Sequence, residues 1–432
     1  MPLIQQSLNQ SILSYLAHAG RLFIILAFLA GNLTHAGNAE LAQARQIHDR
    51  LTGIPPTNTV LSQMESAIIN DTEAGAEAAA NIAMLNPAFY NVTLKNYIAP
   101  WTNEDQSVFV DLNDYTATVI GIIRDDIDFR QILSGDIIYT ANGTASPSYS
   151  NSSNDHYVAL EALGPVAGDL SDENILVGTE QSSFGNLPAG ATAGIMTTRA
   201  AAQAFFSDGT NRAMFRFTLM NHLCTDLEPL KDISRVPDRV RQDTSRSPGG
   251  DSRIFMYSCV GCHAGMDGLT GAYAKYNFDT SVESGSLAYN LPETPNDTSL
   301  NGFSANGISN KYHVNAENFK PGYITTDDSW INYWRSGQNE LLGWSSSAPA
   351  GVTIDSRERF STGNGAKSMG AELANSRAFA SCQVKKAFKA ICFRDSNNYA
   401  VDRQKVSDIT DGFMSGYNMK SVFGKVAAYC SQ

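Results

Sequence analysis

Residues 256–269 read MYSCVGCHAGMDGL and contain Cys259, Cys262 and His263 in the spacing C-x-x-C-H. On a helical turn, two thiols at this spacing can add to the two vinyl groups of one haem, and the adjacent histidine then lies under the iron. The alternatives are a redox C-x-x-C pair and half of a zinc site, but a zinc site needs a second Cys/His pair that the other cysteines do not offer. The stretch therefore predicts one covalent c-type haem, bound through Cys259 and Cys262 with His263 as the proximal ligand.

The sixth ligand of a low-spin electron-transfer haem is usually Met or His. We expect Met369, in GNGAKSMGAELANS, to lie on a loop before a helix, from which its thioether reaches over the haem face. His313, His222 and an open sixth position remain alternatives. If the protein is instead a haem enzyme, His222, His313 and Glu372 are candidates for a distal acid or base.

Arginines are concentrated just before the motif. A buried haem propionate favours a guanidinium partner, so we expect one or two of them to contact haem. The others are expected to pair with aspartates of the same segment. The arginines are Arg235, Arg239, Arg241, Arg246 and Arg253, and the aspartates are Asp232, Asp238, Asp243 and Asp251.

The composition is that of a globular protein, with 43% hydrophobic and 17% charged residues among 432. The net charge of −12 argues against nucleic acid or an anionic lipid surface as partner. We find no G-x-S-x-G elbow, no Walker loop and no G-x-G-x-x-G after a strand. We expect a redox partner protein, whose identity the sequence leaves open.

The N-terminus has the pattern of a secretory signal. Residues 1–36 carry one charged side chain, Arg21, followed by the apolar run LFIILAFLA (residues 22–30) and a stretch ending in small residues. We expect cleavage, with an uncleaved N-terminal anchor as the alternative. The protein is then periplasmic or otherwise exported, and no integral membrane span is expected after cleavage.

Four cysteines lie outside the haem motif, which in an oxidising compartment allows two disulfides. Cys382 and Cys392 are expected on one helix, about 15 Å apart, which is too far for a bond. We favour Cys224–Cys382 with Cys392–Cys430. The other possible pairing and free buried thiols remain open.

Apolar residues recur at helical spacing through much of the chain. Leu61, Met64 and Ile68 mark one helix, and PPT (residues 55–57) is expected to end the preceding helix and cap this one. A helix near 326–337 is expected to carry Trp330 and Trp334. Helices are also expected at 369–392, 403–415 and 418–429, and around Tyr115, Val119, Ile122 and Ile123.

Residues 141–190 are rich in Gly, Ser and Asn and lack apolar periodicity, which indicates a loop or linker. The predicted organisation is a signal peptide (1–36), an N-terminal helical domain (37–140), this loop- and linker-rich segment (141–190) and a haem c-binding helical domain (191–432). The predicted fold is mainly α: a helical multi-domain protein built around one c-type haem, with long irregular loops.

Several blocks resemble those of the large planctomycete-type cytochrome c family. CVGCHAGMDGLTGAYAKYNFD (259–279) is similar to that family's C-x-x-C-H-x-x-M-D-P-x-G block, with Gly268 in place of the proline. RQIHDRLTGIPPTNTVLSQM (45–64), NPAFYN (86–91), DFRQILSGDIIY (128–139), residues 193–224 and SRAFASCQVKKAFKAICFRD (376–395) are similar to its other blocks.

The resemblance implies an exported, mainly helical haem c protein, with Cys259, Cys262 and His263 on haem. It implies no catalytic residue and no substrate. We therefore favour a monohaem c-type cytochrome acting in electron transfer over an enzyme. The alternatives are a peroxidase- or oxidase-like haem enzyme with an open distal site, and a haem-containing binding or assembly module whose partner surface includes residues 141–160 and the helix near Trp330.

Overall fold

A computed structural model describes residues 39–71, 74–207, 209–244, 252–293, 299–314 and 316–432. The structure is 51% helix and 9% strand, which confirms the mainly α prediction. The predicted signal peptide lies outside the described residues. Within them, no helix has both the length and the apolar character needed to cross a membrane.

The longer helices are α1 (39–52), α2 (Asn58–Asn70), α3 (Gly75–Ala83), α5 (Asp114–Arg124), α7 (Asp155–Ala162), α9 (Arg199–Phe205), α10 (Arg212–His222), α11 (Ser252–Ser258), α12 (Val260–Thr270), α13 (Gly365–Ala374), α14 (Arg377–Cys392), α15 (Ala400–Phe413) and α16 (Met419–Cys430). The one-turn helices are α4 (Lys95–Ile98), α6 (Gln131–Ser134) and α8 (Gly164–Ala167).

Within the part of the chain that the structure describes, three small antiparallel sheets accompany the helices. Strands β1 (Ile138–Ala141) and β2 (Leu176–Thr179) form one, and β3 (Tyr276–Asp279) and β4 (Ser286–Tyr289) form another. The third has the order β5 (Ser329–Asn332), β7 (Phe360–Asn364), β6 (Val352–Asp355).

The described residues fold into two compact units, one comprising residues 39–86 together with Ala427–Gln432 and the other Pro87–Val426. In the first unit, the Thr57 hydroxyl accepts a hydrogen bond from the amide of Val60 and caps α2, as predicted. Leu61, Met64 and Ile68 are buried. The amphipathic spacing of α2 therefore predicted both the helix and its buried face.

The unit Pro87–Val426 contains the C-x-x-C-H motif. Its helix α12 packs against α10, α11 and β5. Gly265 and Gly268 of α12, and Gly271 directly after it, lie on one side, where a Cβ atom would clash with Trp334 and with the carbonyls of Ile331 and Ser329. Gly268 stands where the resembled family has proline, and here its missing side chain lets β5 approach the helix.

The predicted helix near 326–337 is wrong. Residues Ser329–Asn332 form strand β5, and Tyr333–Arg335 form a single 3-10 turn. The backbone bonds of β5 go to β7, and Trp330 donates a hydrogen bond from Nε1 to Ser368 Oγ at 2.8 Å. Since Trp330 and Trp334 are both 1% exposed, they offer no surface to a partner.

The segment 141–190 is not loop throughout, because it contains α7, α8 and strand β2, which pairs with β1. The compact units divide the chain at other positions, and the predicted boundaries at 37–140, 141–190 and 191–432 stay predictions.

Cys224 and Cys382 form a disulfide, as favoured from the sequence. Cys392 and Cys430 each take part in a disulfide too, so none of these four cysteines is a free thiol. Cys382 and Cys392 share helix α14, as expected. Cys259 and Cys262 are free thiols.

Candidate functional site

The C-x-x-C-H motif lies where α11 passes into α12. The amide of Cys259 bonds the carbonyl of Phe255 at 2.9 Å, and the amides of Cys262 and His263 both reach the carbonyl of Cys259 at 3.2 Å. The motif is thus one helical turn, as its spacing predicted. Both thiols are partly exposed, so both are open to covalent modification.

The imidazole of His263 is held by a carboxylate one turn further along α12. His263 Nδ1 lies 3.2 Å from Asp267 Oδ1, and the Asp267 side chain is buried. Burial favours the neutral acid, but Arg212 and His263 outweigh it and hold the pKa of Asp267 well below its usual range. Because Asp267 is therefore an acceptor, Nδ1 carries the proton and Nε2 is the nitrogen left to bind iron.

Asp267 belongs to a buried charge network. Arg212 bonds it through Nε and Nη2, at 2.8 and 3.0 Å, and bonds Asp243 through Nη1 and Nη2, at 2.8 and 2.9 Å. The backbone amide of Arg241 donates to Asp267 Oδ2 at 3.2 Å. Burial lowers the pKa of Arg212, but the two aspartates outweigh it and raise that pKa above its ordinary value. The carboxylate that orients His263 is thus fixed from several sides.

Apolar side chains surround the His263 face of the motif. Val240, Phe255, Val260, Ala264 and Phe319 form a buried cluster, with Cys259 packed against it. The ring of Phe255 lies edge-on to the imidazole of His263, with centroids 5.4 Å apart. This is the kind of lining that a large apolar ring system requires.

Exposed apolar side chains also lie around the motif. Tyr257, two residues before Cys259, is 86% exposed, and Ile233, which is 74% exposed, lies beside Gly261. Met256, three residues before Cys259, is exposed as well. Large apolar groups grouped on a surface favour a ligand or partner that covers them.

These residues fit a c-type haem. Two unpaired thiols, an oriented histidine and an apolar lining are present together. In addition, Nη1 of Arg241 is buried and has no hydrogen-bond partner among the described residues, although the guanidinium stacks on Tyr312 at 4.3 Å. A buried donor without an acceptor is rare, and a propionate would satisfy it.

The zinc alternative gains no support. In the described ranges, no group of three or more His, Cys, Asp or Glu side chains is placed to hold a metal ion. A haem iron requires only one protein ligand on the His263 side, so the lack of such a group does not count against the haem prediction.

Met369 lies in helix α13 and is fully buried, so its predicted position on a loop is wrong. Helix α13 packs on α6, on the turn Gly271–Tyr273 and on the strands of the third sheet. The neighbouring Ser368 contacts Trp330 of β5, which lies on the glycine face of α12 rather than the His263 face. Met369 stays a prediction as the sixth ligand, but a fully packed side chain would have to move to reach a haem.

His313 lies closer to the network. Its side chain is partly exposed, and it follows Tyr312, on which Arg241 stacks. Burial first, and Arg241 second, lower the pKa of His313, which keeps the imidazole neutral and able to bind a metal. Among the predicted alternatives, this placement favours His313.

The other two candidates for distal groups have structural partners. His222 is buried, with Nε2 bonded to the Tyr115 hydroxyl at 3.0 Å. Glu372 accepts bonds from Asn332, from Ser361 and, through both oxygens, from Arg335. A carboxylate held in this way stabilises the fold and is not free to act on a substrate.

Two of the upstream arginines pair with nearby aspartates, as expected. Arg235 pairs with Asp232 at 3.0 Å, and Arg241 lies 3.4 Å from Asp243. Arg239 instead donates to the hydroxyl of Tyr323 at 2.9 Å. Arg246 and Asp251 lie outside the described residues. Of the upstream arginines that the structure describes, Arg241 is the fully buried one with an unsatisfied donor.

Sequence reasoning missed Asp267 and Arg212. Asp267 was visible, since it is four residues after His263 and these positions are neighbours on a helix. Arg212 lies 55 residues before Asp267 in the chain, and no local pattern connects the two.

Comparison of this chain with protein-family models, with curated proteins and with solved structures finds no match. The residues of the motif and their geometry are therefore the basis for the function proposed below.

Proposed function

We propose that this chain is an exported monohaem c-type cytochrome that transfers electrons to or from a redox partner protein. The observation that carries the proposal is the C-x-x-C-H turn at the start of α12, where two free thiols accompany a histidine oriented by a buried carboxylate.

Each residue has a distinct task in this proposal. Cys259 and Cys262 form the thioether bonds, and His263 binds the iron through Nε2. Asp267 accepts the Nδ1 proton, which fixes the tautomer and the ring orientation and makes the imidazole a stronger donor. Arg241 offers Nη1 to a propionate. The haem, when bound, supplies an iron that changes oxidation state by one electron.

The planctomycete-type cytochrome c resemblance supports this proposal at the level of family. The M-D of its haem block corresponds to Met266 and Asp267 here. The contact between Asp267 and His263 gives that aspartate a physical reason to follow the haem histidine.

Export is part of the proposal. It is supported by the signal-like N-terminus and by four disulfide-bonded cysteines, since disulfides persist in oxidising compartments. The attachment of a c-type haem to the thiols outside the cytoplasm is consistent with the same location.

The test is covalent haem attachment. Expression with a haem c maturation system should give a chain that keeps haem stain in a denaturing gel, and Cys259→Ala with Cys262→Ala should lose it. The matched control, Cys224→Ala with Cys382→Ala, removes two cysteines elsewhere and should keep the stain. Haem stain that persists without Cys259 and Cys262 would show that the motif has been misinterpreted.

A haem enzyme with an open sixth position is the second candidate. One observation favours it: a carboxylate on the proximal histidine increases electron donation to the iron, which also suits an iron that reacts with a bound small molecule. Rapid binding of carbon monoxide to the ferrous protein would favour the enzyme. Slow or absent binding would favour the electron carrier.

A further inference from the structure

A cavity of about 500 Å³ lies in the unit Pro87–Val426, apart from the residues of the haem motif. Trp101 and Pro100 line one part, and Asn221 and Lys386 line another. Cys224, whose disulfide joins α14 to the end of α10, also lines it. The volume suits a small molecule.

Lys386 has an unusual environment for a lysine. Its Nζ lies 2.9 Å from the centroid of the Trp101 ring and donates to the carbonyl of Asn221 at 2.6 Å. It makes no ion pair within the described part of the chain. The nearby carboxylate of Asp226 is bonded through both oxygens by Arg216, at 2.8 and 2.6 Å. The amine thus has no ion-pair partner among the described residues, and the one carboxylate that lines the same cavity, Asp226, is already paired with Arg216.

Lys386 is partly buried, which makes its charged form less favourable than that of a lysine in solvent. The indole face and the carbonyl stabilise an ammonium, but burial opposes it and lowers the pKa of Lys386 well below its ordinary value. The groups around it do not reverse this effect. Tyr97, whose ring centroid is 5.8 Å from Nζ, has its own pKa raised by burial and stays neutral, and burial, as the largest cause, lowers the pKa of His222 and keeps that imidazole neutral.

We infer that this cavity is a second chemical site, in which the amine of Lys386 condenses with a small aldehyde or ketone. A desolvated lysine in a pocket is a nucleophile of the kind that forms Schiff bases. The nitrogen lone pair forms a bond to the carbonyl carbon, and the carbonyl oxygen takes up a proton. Loss of that oxygen as water, with both amine protons removed overall, leaves a C=N bond, and no oxidant or reductant is consumed.

The test is reductive trapping on the whole protein. Propanal and sodium cyanoborohydride are added at pH 7, and alkylation at each lysine is followed by peptide mass spectrometry. Lys385 and Lys389, exposed on the same helix, are internal controls. Lys386 should be alkylated at least tenfold faster than either, since each unit by which its pKa is lower gives about ten times more neutral amine.

A second measurement uses the pH dependence of trapping. As the pH is raised from 7, the rate at Lys386 should level off at a lower pH than the rates at Lys385 and Lys389. Lys386→Met should leave the rates at the two controls unchanged. The proposal is overturned if Lys386 reacts no faster than the controls, or if its rate rises in parallel with theirs.

Discussion

His263 Nδ1 and Asp267 Oδ1 lie 3.2 Å apart on α12, and the carboxylate is locked in place by Arg212. A proximal histidine that donates to an ionised carboxylate has more imidazolate character and stabilises the oxidised iron. The redox behaviour of the proposed haem therefore depends on a residue that does not touch the iron.

Asp267→Asn should raise the reduction potential. The amide keeps the shape of the side chain but loses the charge, so His263 becomes a weaker donor. If the relative affinity for the two oxidation states changes 10- to 100-fold, the rise is about 60–120 mV. Spectroelectrochemical titration measures it. Asp243→Asn is the matched control, because Asp243 also binds Arg212 but does not contact His263. Equal shifts in both variants would contradict the role of Asp267.

Arg212→Met should strongly destabilise the fold. It leaves Asp267 and Asp243 buried without their shared cation, a change that costs about 3–5 kcal/mol. Arg216→Met, one turn further along α10, removes a solvent-exposed pair with Asp226 and should cost about 1 kcal/mol or less. Urea unfolding of the two variants measures the difference. Similar losses would show that the network adds nothing beyond a surface pair.

The Cys224–Cys382 disulfide should contribute substantially to stability, because it closes a loop with a sequence separation of 158 residues. Loop-closure entropy predicts a loss of about 2–5 kcal/mol when both cysteines are replaced by serine. Thermal unfolding of this double variant tests the prediction. Mass spectrometry of the unreduced wild type should also find no free thiol at Cys224, Cys382, Cys392 or Cys430.

Acid should destabilise the protein partly through His222. Burial, and then Lys386, lower the pKa of His222 well below the ordinary value. The unfolded chain therefore binds a proton at this residue near pH 6.5, whereas the folded chain does not. The stability from neutral His222 is complete above that pH and declines as pH falls below it, by up to about 1.4 kcal/mol per unit. His222→Gln should reduce this slope in urea unfolding between pH 6.5 and 5. An unchanged slope would contradict the prediction.

Local patterns predicted much of the fold and part of the site. The helical spacing of Tyr115, Val119 and Ile122 predicted α5, and these residues are buried in it. A helix can be predicted from its own segment because it forms its backbone hydrogen bonds within that segment. Strand β5 was missed because its partner β7 lies about thirty residues later, and Trp330 at helical distance from Trp334 mimics a helix. The motif residues Cys259, Cys262 and His263 could be recognised from the sequence because they lie close together in it.

The rest of the site depends on contacts between distant segments. Arg212 reaches both Asp267 and Asp243 only because α10, α12 and the segment near Arg241 pack together. The position of Met369 was mispredicted for the same reason, since it too depends on contacts between distant segments. A methionine at a plausible distance in sequence was expected near the haem, but tertiary packing places it in the interior of α13.

The sixth ligand distinguishes an electron carrier from a haem enzyme. From the sequence alone Met369 was preferred for this position, and with the structure we prefer His313. We expect a six-coordinate, low-spin haem with His313 opposite His263, because His313 is partly exposed, has a lowered pKa and lies next to the Arg241 network. His313→Gln should convert the absorption spectrum to high spin and open the ferrous iron to carbon monoxide. Met369→Leu, which removes the sulfur at similar volume, should leave the spectrum unchanged.

Other results would show either that Met369 is the sixth ligand or that the sixth position of the iron is open. If Met369→Leu alters the spectrum and His313→Gln does not, the thioether is the ligand, as the sequence alone suggested, and α13 must move when haem binds. If the wild type is already high spin, binds carbon monoxide rapidly and reacts with peroxide, the iron has an open face. The electron-carrier proposal then gives way to the haem enzyme, in which the bond between Asp267 and His263 supports reaction with a bound molecule.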